Sequence, residues 1–433
     1  MMPHRDEARH NAVAAAQEWL GTAGSTGERV LLIEDVLGRI RLVVWADAGR
    51  RQLLEALVRK ATTEGDGTGY WSGDVWSGGE APEPEREVYE AFWSRAMEIV
   101  PDRIRLGNRY REREGWFMPA ENGPWPITRH GRAPVVAFYS FKGGVGRSTA
   151  LAAFALQRAR SGERVVVVDA DLDAPGLGAL LPADRQGGTQ RWGVVDYLLE
   201  RPLRPVDLGD DDHAFRDEEA VGSGEVLVVP AGRLDQDYLG KLARVDWEPS
   251  GTADKPAPLR RLLDDLSTQL HPQWILVDAR SGFSDPAGVV LAGLAHLHVL
   301  LGTSSAQSWA GLALVLERIG AERVRRGRPR ADCVLVHAMV PRTTALAQQS
   351  KVDFANQARQ LFEEHDDAED GSGEDFWTVG DAEVSDAPHV SVPLSYDEKL
   401  ASFAYIGQVT PVLLGDEYRQ LGERIRGRCG GDG

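Results

Sequence analysis

At 433 residues the chain has room for two or three domains, each with an ample core. A hydrophobic share of 42% with a charged share of 27% is that of a globular protein rather than a disordered one. The net charge of −17 argues against a whole-surface affinity for nucleic acid or anionic membrane, leaving only local basic patches for either. Two cysteines, Cys333 and Cys429, make no disulfide framework, which fits a reducing cytoplasm. Met1 to His10 is polar and charged, unlike a signal peptide, and no apolar run approaches the ~20 residues of a bilayer span. Positive charge is almost all arginine, with lysine only at 60, 142, 241, 255, 351 and 399; with abundant Ala and Gly this points to a GC-rich bacterial genome.

Residues 1–130 read as a small α+β module. Asp6 to Leu20 predicts a helix with Val13, Ala16, Trp19 and Leu20 on one side. Arg29–Asp35 and Arg39–Trp45 predict a β-hairpin about Leu37-Gly38. Gly49 to Thr63 predicts a helix with Leu53, Leu54, Leu57 and Val58 on one face, followed by a Gly- and Trp-rich loop over 64–84. Val88 to Ile99 reads as helix and Arg103 to Trp116 as one or two short strands. The tryptophans of the loop are candidates for core and for an interaction surface alike. Asn122 to Arg132, with Pro124, Pro126 and Gly131, reads as a linker.

From residue 131 onward, apolar β-runs alternate with helical patterns: 135–139, 164–169, 225–230, 274–278, 296–302, 332–339 and 389–393. Runs of Val and Leu without polar alternation mark strands buried on both faces, so the fold class is α/β with a doubly wound, mostly parallel sheet. Two acidic insertions, 207–224 and 363–386, lack apolar periodicity and read as mobile loops.

The first of these strands leads into Lys142-Gly143-Gly144-Val145-Gly146-Arg147-Ser148-Thr149 and then an Ala/Leu-rich helix. Strand, glycine turn and helix in that order cradle phosphate: glycines allow backbone N–H groups to turn inward, and the helix N-terminus adds partial positive charge. The Ser148 hydroxyl sits where Mg²⁺ is ligated. The stretch departs from the ordinary G-x-x-x-x-G-K-[ST] pattern, with Phe141 at the first glycine and Arg147 at the lysine.

After the second strand comes Asp169-Ala-Asp171-Leu-Asp173-Ala-Pro175-Gly176, three carboxylates at the C-terminal end of a buried strand, where open α/β sheets bind ligands. Gln273 to Gly282 is an apolar strand ending in Asp278, with Arg280 and Gly282 beyond it.

With its early lysine, the glycine loop resembles the deviant phosphate loop of the ParA/MinD family of P-loop ATPases, K-G-G-x-G-K-[ST], here in a K-G-G-V-G-R variant. The acidic strand end resembles that family's D-x-D switch, and the Asp278 strand its Walker B motif. The resemblance covers about residues 134–410. It implies ATP and Mg²⁺ as ligands, with Ser148, Asp169 and Asp278 around the metal and Asp171 positioning the attacking water. Lys142 would reach a partner's nucleotide across a dimer, and Arg147 would act on the phosphates in cis. Residues 142–149 and Gly282 would hold phosphate, and Met339, Pro341 and Pro393 fall at the family's base-binding segments. Val226 to Gly232 corresponds to a structural strand of MinD-like proteins. Asp173 has less support within the family, and Arg280 reads either as a phosphate or switch contact or as a partner of an acidic group. His337 reads as a core or solvated histidine, and the sequence does not separate ATP from GTP.

The function so implied is a nucleotide-controlled switch: a Mg²⁺-dependent, slowly hydrolysing cytoplasmic ATPase that dimerises on nucleotide and regulates a protein partner through its N-terminal module, in bacterial signalling or defence. Two alternatives stand beside it. One is a positioning ATPase on DNA or membrane, through the arginines of 318–330 or the last helix with Leu414, Tyr418, Leu421 and Ile425. The other is a scaffold that binds nucleotide but does not turn it over because of Arg147.

Overall fold

The computed structural model describes residues 5–22, 27–35, 39–63, 69–108, 125, 131–181, 192–208, 214–215, 218–245, 258–325, 333–364, 387, 389–403 and 406–429. The chain divides into two compact units, Met1–Glu112 and Arg113–Gly433. The expected linker, 122–132, lies mostly outside the described residues.

The first unit is a five-stranded mixed sheet of order β3-β2-β1-β5-β4, formed by β1 (Arg29–Glu34), β2 (Ile40–Trp45), β3 (Trp71–Ser77), β4 (Met97–Val100) and β5 (Ile104–Asn108). The hairpin of β1 and β2 is antiparallel as the alternation predicts. Helices α1 (Arg5–Gly21) and α2 (Ala48–Thr62) bury Ala12, Ala16, Trp19, Leu54 and Val58 on one sheet face, against Val30, Leu32, Leu42 and Val44. Helix α3 (Glu83–Arg95) covers the other face, where Trp93 meets Leu31, Ile33 and Val43.

Three expectations are corrected here. The loop of 64–84 contains β3, whose Trp71 and Trp76 are half-buried and pack against the two cores. The helix expected over 88–99 begins earlier and ends at Arg95, because Met97–Val100 pairs with β5. Leu53 is exposed on α2, whose buried face is Leu54, Val58 and Thr62.

The second unit is an eight-stranded sheet of order β13-β12-β11-β6-β10-β7-β9-β8. Its strands are β6 (Val135–Ser140), β7 (Arg164–Ala170), β8 (Ala214–Phe215), β9 (Glu225–Val229), β10 (Trp274–Ala279), β11 (Leu297–Gly302), β12 (Cys333–Val340) and β13 (Val392–Ser395). Seven are parallel; the short edge strand β8 runs antiparallel to β9, within the first acidic insertion. The last strand begins three residues later than the predicted run of 389–393 and ends at Ser395. Most of the second insertion, 365–386, lies outside the described residues.

Both faces of this sheet are buried, as the unbroken apolar strands require. On β6, Val136 and Phe138 face a core shared with α4 (Arg147–Arg160) and the final helix α8 (Asp416–Arg428). Val135, Ala137 and Tyr139 face the opposite core, shared with α5 (Pro258–Leu270), α6 (Ala306–Arg325) and α7 (Thr344–Glu364). Every residue of β6 and β10 is buried, so the loops at their C-terminal ends rest on a rigid base.

Candidate nucleotide site

The glycine loop occupies the turn between β6 and α4, at the C-terminal edge of the sheet. Gly144 and Gly146 have φ of 75° and 87°, and a Cβ at either would meet nothing within 4 Å. Glycine is therefore set by backbone conformation there, not by space. Gly146 is the N-cap of α4 and brings no side chain to its leading N–H groups, which with the helix dipole suit an anion. Gly143 and Gly144 are exposed at the loop's crest and Val145 is buried beneath it. Phe141, in place of the pattern's first glycine, sets its ring 4.9 Å from that of Phe283 and directly over Gly311 of α6.

Arg147 turns inward, its side chain only 10% exposed. Its Nε donates to Asp278 Oδ1, and its Nη2 donates to Asp171 Oδ2 at 2.8 Å. Ser148 Oγ donates to the other oxygen of Asp278. The ends of β7 and β10 are neighbours, Asp278 standing beside Asp169 in register. Asp169 is fully buried and accepts from the backbone N–H of Asp171 at 3.2 Å and of Gly176 and Leu177 at 3.0 Å. Burial, then the charge of Asp278, push the Asp169 carboxyl up to about 7 against the pull of those three N–H groups. Burial likewise pushes Asp278 up, opposed by Arg147 and Ser148.

A hydroxyl and a carboxylate that meet at one point, Ser148 and Asp278, are the hard-oxygen pair that Mg²⁺ takes alongside phosphate and water. These residues fit the ion. Asp169 spends both oxygens on backbone N–H groups, so it anchors the switch segment that begins at Asp171. Among the described residues no group of three or more His, Cys, Asp or Glu is arranged to hold a metal.

Lys142, on the rim, donates to Gln307 Oε1 at the start of α6, a partner with no signal in the sequence pattern. Asp173 and Arg280 form an ion pair, the second of the readings open for Arg280. Gly282 has φ of 74°; its carbonyl accepts from the Tyr139 hydroxyl at 3.2 Å, and its N–H points to Ser140 O at 3.4 Å. Thr149 follows Ser148 in the first turn of α4, half-buried.

The base-end candidates lie beyond β11, on β12 and β13. A cavity of about 550 Å³ opens there, lined by Pro341, Arg342, Lys351, Asp397 and Tyr418 among others. Pro341 lines it; Met339 and Pro393 do not, although Met339 is 40% exposed with φ of 59° and Pro393 pairs with His337. The sequence pattern did not single out Arg342, Lys351 or Asp397, because their contribution depends on α7 and α8 folding back over the strand ends. His337 is buried and stacked on Phe354, with Ser350 Oγ 3.1 Å from Nε2, so it is a core residue.

Residues 136–350 match the family described as the CobQ/CobB/MinD/ParA nucleotide binding domain. A stretch of 161 residues is 50% identical to an iron–sulfur cluster carrier protein of Pseudomonas fragi, taking in 34% of this chain and 53% of that relative, so the chain spans about half of the relative's length. Among solved structures, the chain is similar to ParA of pNOB8 bound to nonspecific DNA, with TM-score 0.46 and 16% identity over 70% of this chain and all of that one. It is also similar to the septum site-determining protein MinD complexed with Mg-ADP from Pyrococcus horikoshii OT3, with TM-score 0.41 and 15% identity over 68% of this chain and 96% of that one. By its variant glycine loop and the match over its length, the region 136–350 is a nucleotide-binding domain of the ParA/MinD kind, with a P-loop fold.

Proposed function

We propose that the chain is a Mg²⁺-dependent ATP switch that hydrolyses ATP slowly, closes into a dimer on the nucleotide, and presents its N-terminal unit to a protein partner in the bacterial cytoplasm, in signalling or defence. The observation that carries this reading is the meeting of Ser148 and Asp278 beneath the uncapped glycine loop, with Asp171 beside them. Loop N–H groups and the α4 N-terminus hold the phosphates. Ser148 and Asp278 hold Mg²⁺, which when bound neutralises charge on the transferred phosphoryl group. Asp171 orients the attacking water, Arg147 contacts phosphate in cis, and Lys142 reaches the partner's nucleotide in trans. The ends of β12 and β13 lie two and three strands from β6, about 10 and 15 Å across the sheet. That span suits a nucleotide whose phosphates rest on the loop and whose base reaches toward the cavity by Pro341.

Other readings have less support. The apolar face of α8, Tyr418, Leu421 and Ile425, is buried against α4, which leaves it no surface for lipid. The arginine run beyond Arg318 lies outside the described side chains. Carriage of an iron–sulfur cluster, the property in the name of the Pseudomonas fragi relative, needs converging thiolates. Cys333 is buried in the core on one sheet face, and Cys429 packs against the core on the other.

Equilibrium binding of fluorescent ATP and GTP with Mg²⁺, in wild type and Ser148→Ala, tests the switch reading together with single-turnover phosphate release in Asp171→Ala. Tight Mg²⁺-dependent binding lost in Ser148→Ala, with turnover lost in Asp171→Ala, is expected. No nucleotide binding by the wild type refutes the proposal, and binding without turnover in either protein leaves the scaffold.

A further inference from the structure

The side chains of Asp171 and Asp278 are 6% and 1% exposed and lie on the two sides of one guanidinium. Buried carboxylates this close repel unless a cation stands between them. Arg147 is that cation. Its planar fork delivers Nε to one carboxylate and Nη2 to the other, a span that the single ammonium of a lysine does not bridge in the same way. One oxygen of Asp278 is thereby taken by Arg147 and the other by Ser148.

We propose that Arg147 is a resident counter-cation that closes the metal position of the nucleotide-free chain, so that a divalent cation enters only with phosphates that draw the guanidinium off the carboxylates. The inference rests on the reading of Ser148 and Asp278 as the magnesium-holding pair. It goes beyond a phosphate role for Arg147, because it gives the side chain two alternative partners. One is the pair Asp171 and Asp278, the other the phosphates on the loop. Movement between them frees Asp171, which also holds the Ala174 N–H at 3.3 Å, so occupancy of the loop is relayed to the switch segment 171–177. The Arg147 substitution in the phosphate-loop pattern is then a positioning device as much as a ligand.

The test is direct titration with Mn²⁺ in the absence of nucleotide, followed by the loss of the free-ion paramagnetic resonance signal, for the full chain as wild type, Arg147→Met and Arg147→Lys. Arg147→Met leaves the carboxylates uncompensated and is expected to bind Mn²⁺ about tenfold or more tighter than wild type. Arg147→Lys, a smaller perturbation of the fold, is expected between the two and carries the test if the methionine variant does not fold. Equal Mn²⁺ affinity in wild type and the folded variants overturns the inference. Fluorescent ATP binding with Mg²⁺ is measured on the same wild-type sample. If that binding is present while Mn²⁺ affinity does not respond to residue 147, the counter-cation fails and the switch reading stands. If the wild type binds no nucleotide, the switch reading fails with it.

Discussion

The ring of Phe141 lies on the backbone of Gly311: a Cβ built on Gly311 would sit 2.1 Å from Phe141 Cγ and 2.2 Å from Cδ1. The residue that leads into the phosphate loop is thus seated on α6 through a contact that only glycine permits. Alanine at an interior helix position normally stabilises by about 1 kcal/mol over glycine. Here overpacking costs about 1–3 kcal/mol and wins. Gly311→Ala is expected to lower the denaturation midpoint and weaken nucleotide binding, since Phe141 must shift and the loop moves with it. In a Phe141→Ala background the same change is expected to be neutral or stabilising. A denaturant series on the single and double variants checks both signs, and an additive result would remove the contact as the cause.

Lys142 stands on the rim and is held only by Gln307 among the contacts described for it. A cation that served its own chain's phosphates would gain from burial, whereas one left at the rim is placed to reach outward. Lys142→Ala is expected to abolish nucleotide-dependent dimers while leaving nucleotide affinity of the monomer within about threefold, a change of well under 1 kcal/mol. Light scattering with and without ATP and Mg²⁺ decides it. Dimers that persist in Lys142→Ala sink the trans role.

Much of this site is legible in the sequence because it is local. Gly144 and Gly146 carry their positive φ within the motif, Asp169 and Asp278 each end an unbroken apolar run, and Asp171 follows two residues after Asp169. The contacts of Arg147 are different: they join residues 24 and 131 positions apart, and only the register of β7 beside β10 brings them together. Strand β3 is hidden for a local reason. Trp71-Ser-Gly-Asp-Val-Trp-Ser77 has a glycine with φ of 84° and an aspartate at its centre, a composition that reads as loop. It becomes a strand because it pairs with β2 at the edge of the sheet, where Asp74 is free to meet Arg41. Met97–Val100 is hidden because the helical pattern before it runs on without a breaker, and pairing with β5 ends the helix instead.

His337 gives the chain a pH dependence of known sign. Burial, and next the charge of Lys351, lower it to about 4. Between about pH 6.5 and 4 the unfolded chain takes up a proton at this ring and the folded chain does not. The contribution is fully present above about pH 6.5 and is lost as pH falls through that window, a total on the order of 3 kcal/mol. Asp169, raised to about 7, acts in the opposite sense over the same range, so the His337 contribution is read as a difference between two proteins. His337→Gln, which cannot take up the proton, is expected to lose less (or gain more) in denaturation midpoint than wild type between about pH 7 and 4. Parallel pH profiles for the two proteins would remove His337 as a source of the dependence.

A buried ion pair, Arg50 with Glu28, ties together elements of the first unit. Arg50 donates to both oxygens of Glu28, at 2.9 and 2.8 Å, and to the carbonyl of Trp19 at 3.0 Å, with its guanidinium 4.5 Å from the Trp19 ring. Glu28 is 4% exposed, so removing its partner strands a charge at the junction of α1, α2 and β1, at a cost of about 3–5 kcal/mol. Arg50→Ala is therefore expected to abolish hydrogen-exchange protection over β1 and β2 while β6, β7 and β10 keep theirs. Nucleotide affinity is expected to be unchanged, because every residue of the proposed site lies in the second unit. Replacing both charges, Glu28→Gln with Arg50→Met, is expected to restore much of the lost protection, since no uncompensated charge then remains. Loss of protection in both units on Arg50→Ala would show instead that the first unit is required for the second to stay folded, and the partner-facing role proposed for it would have to give way to a structural one.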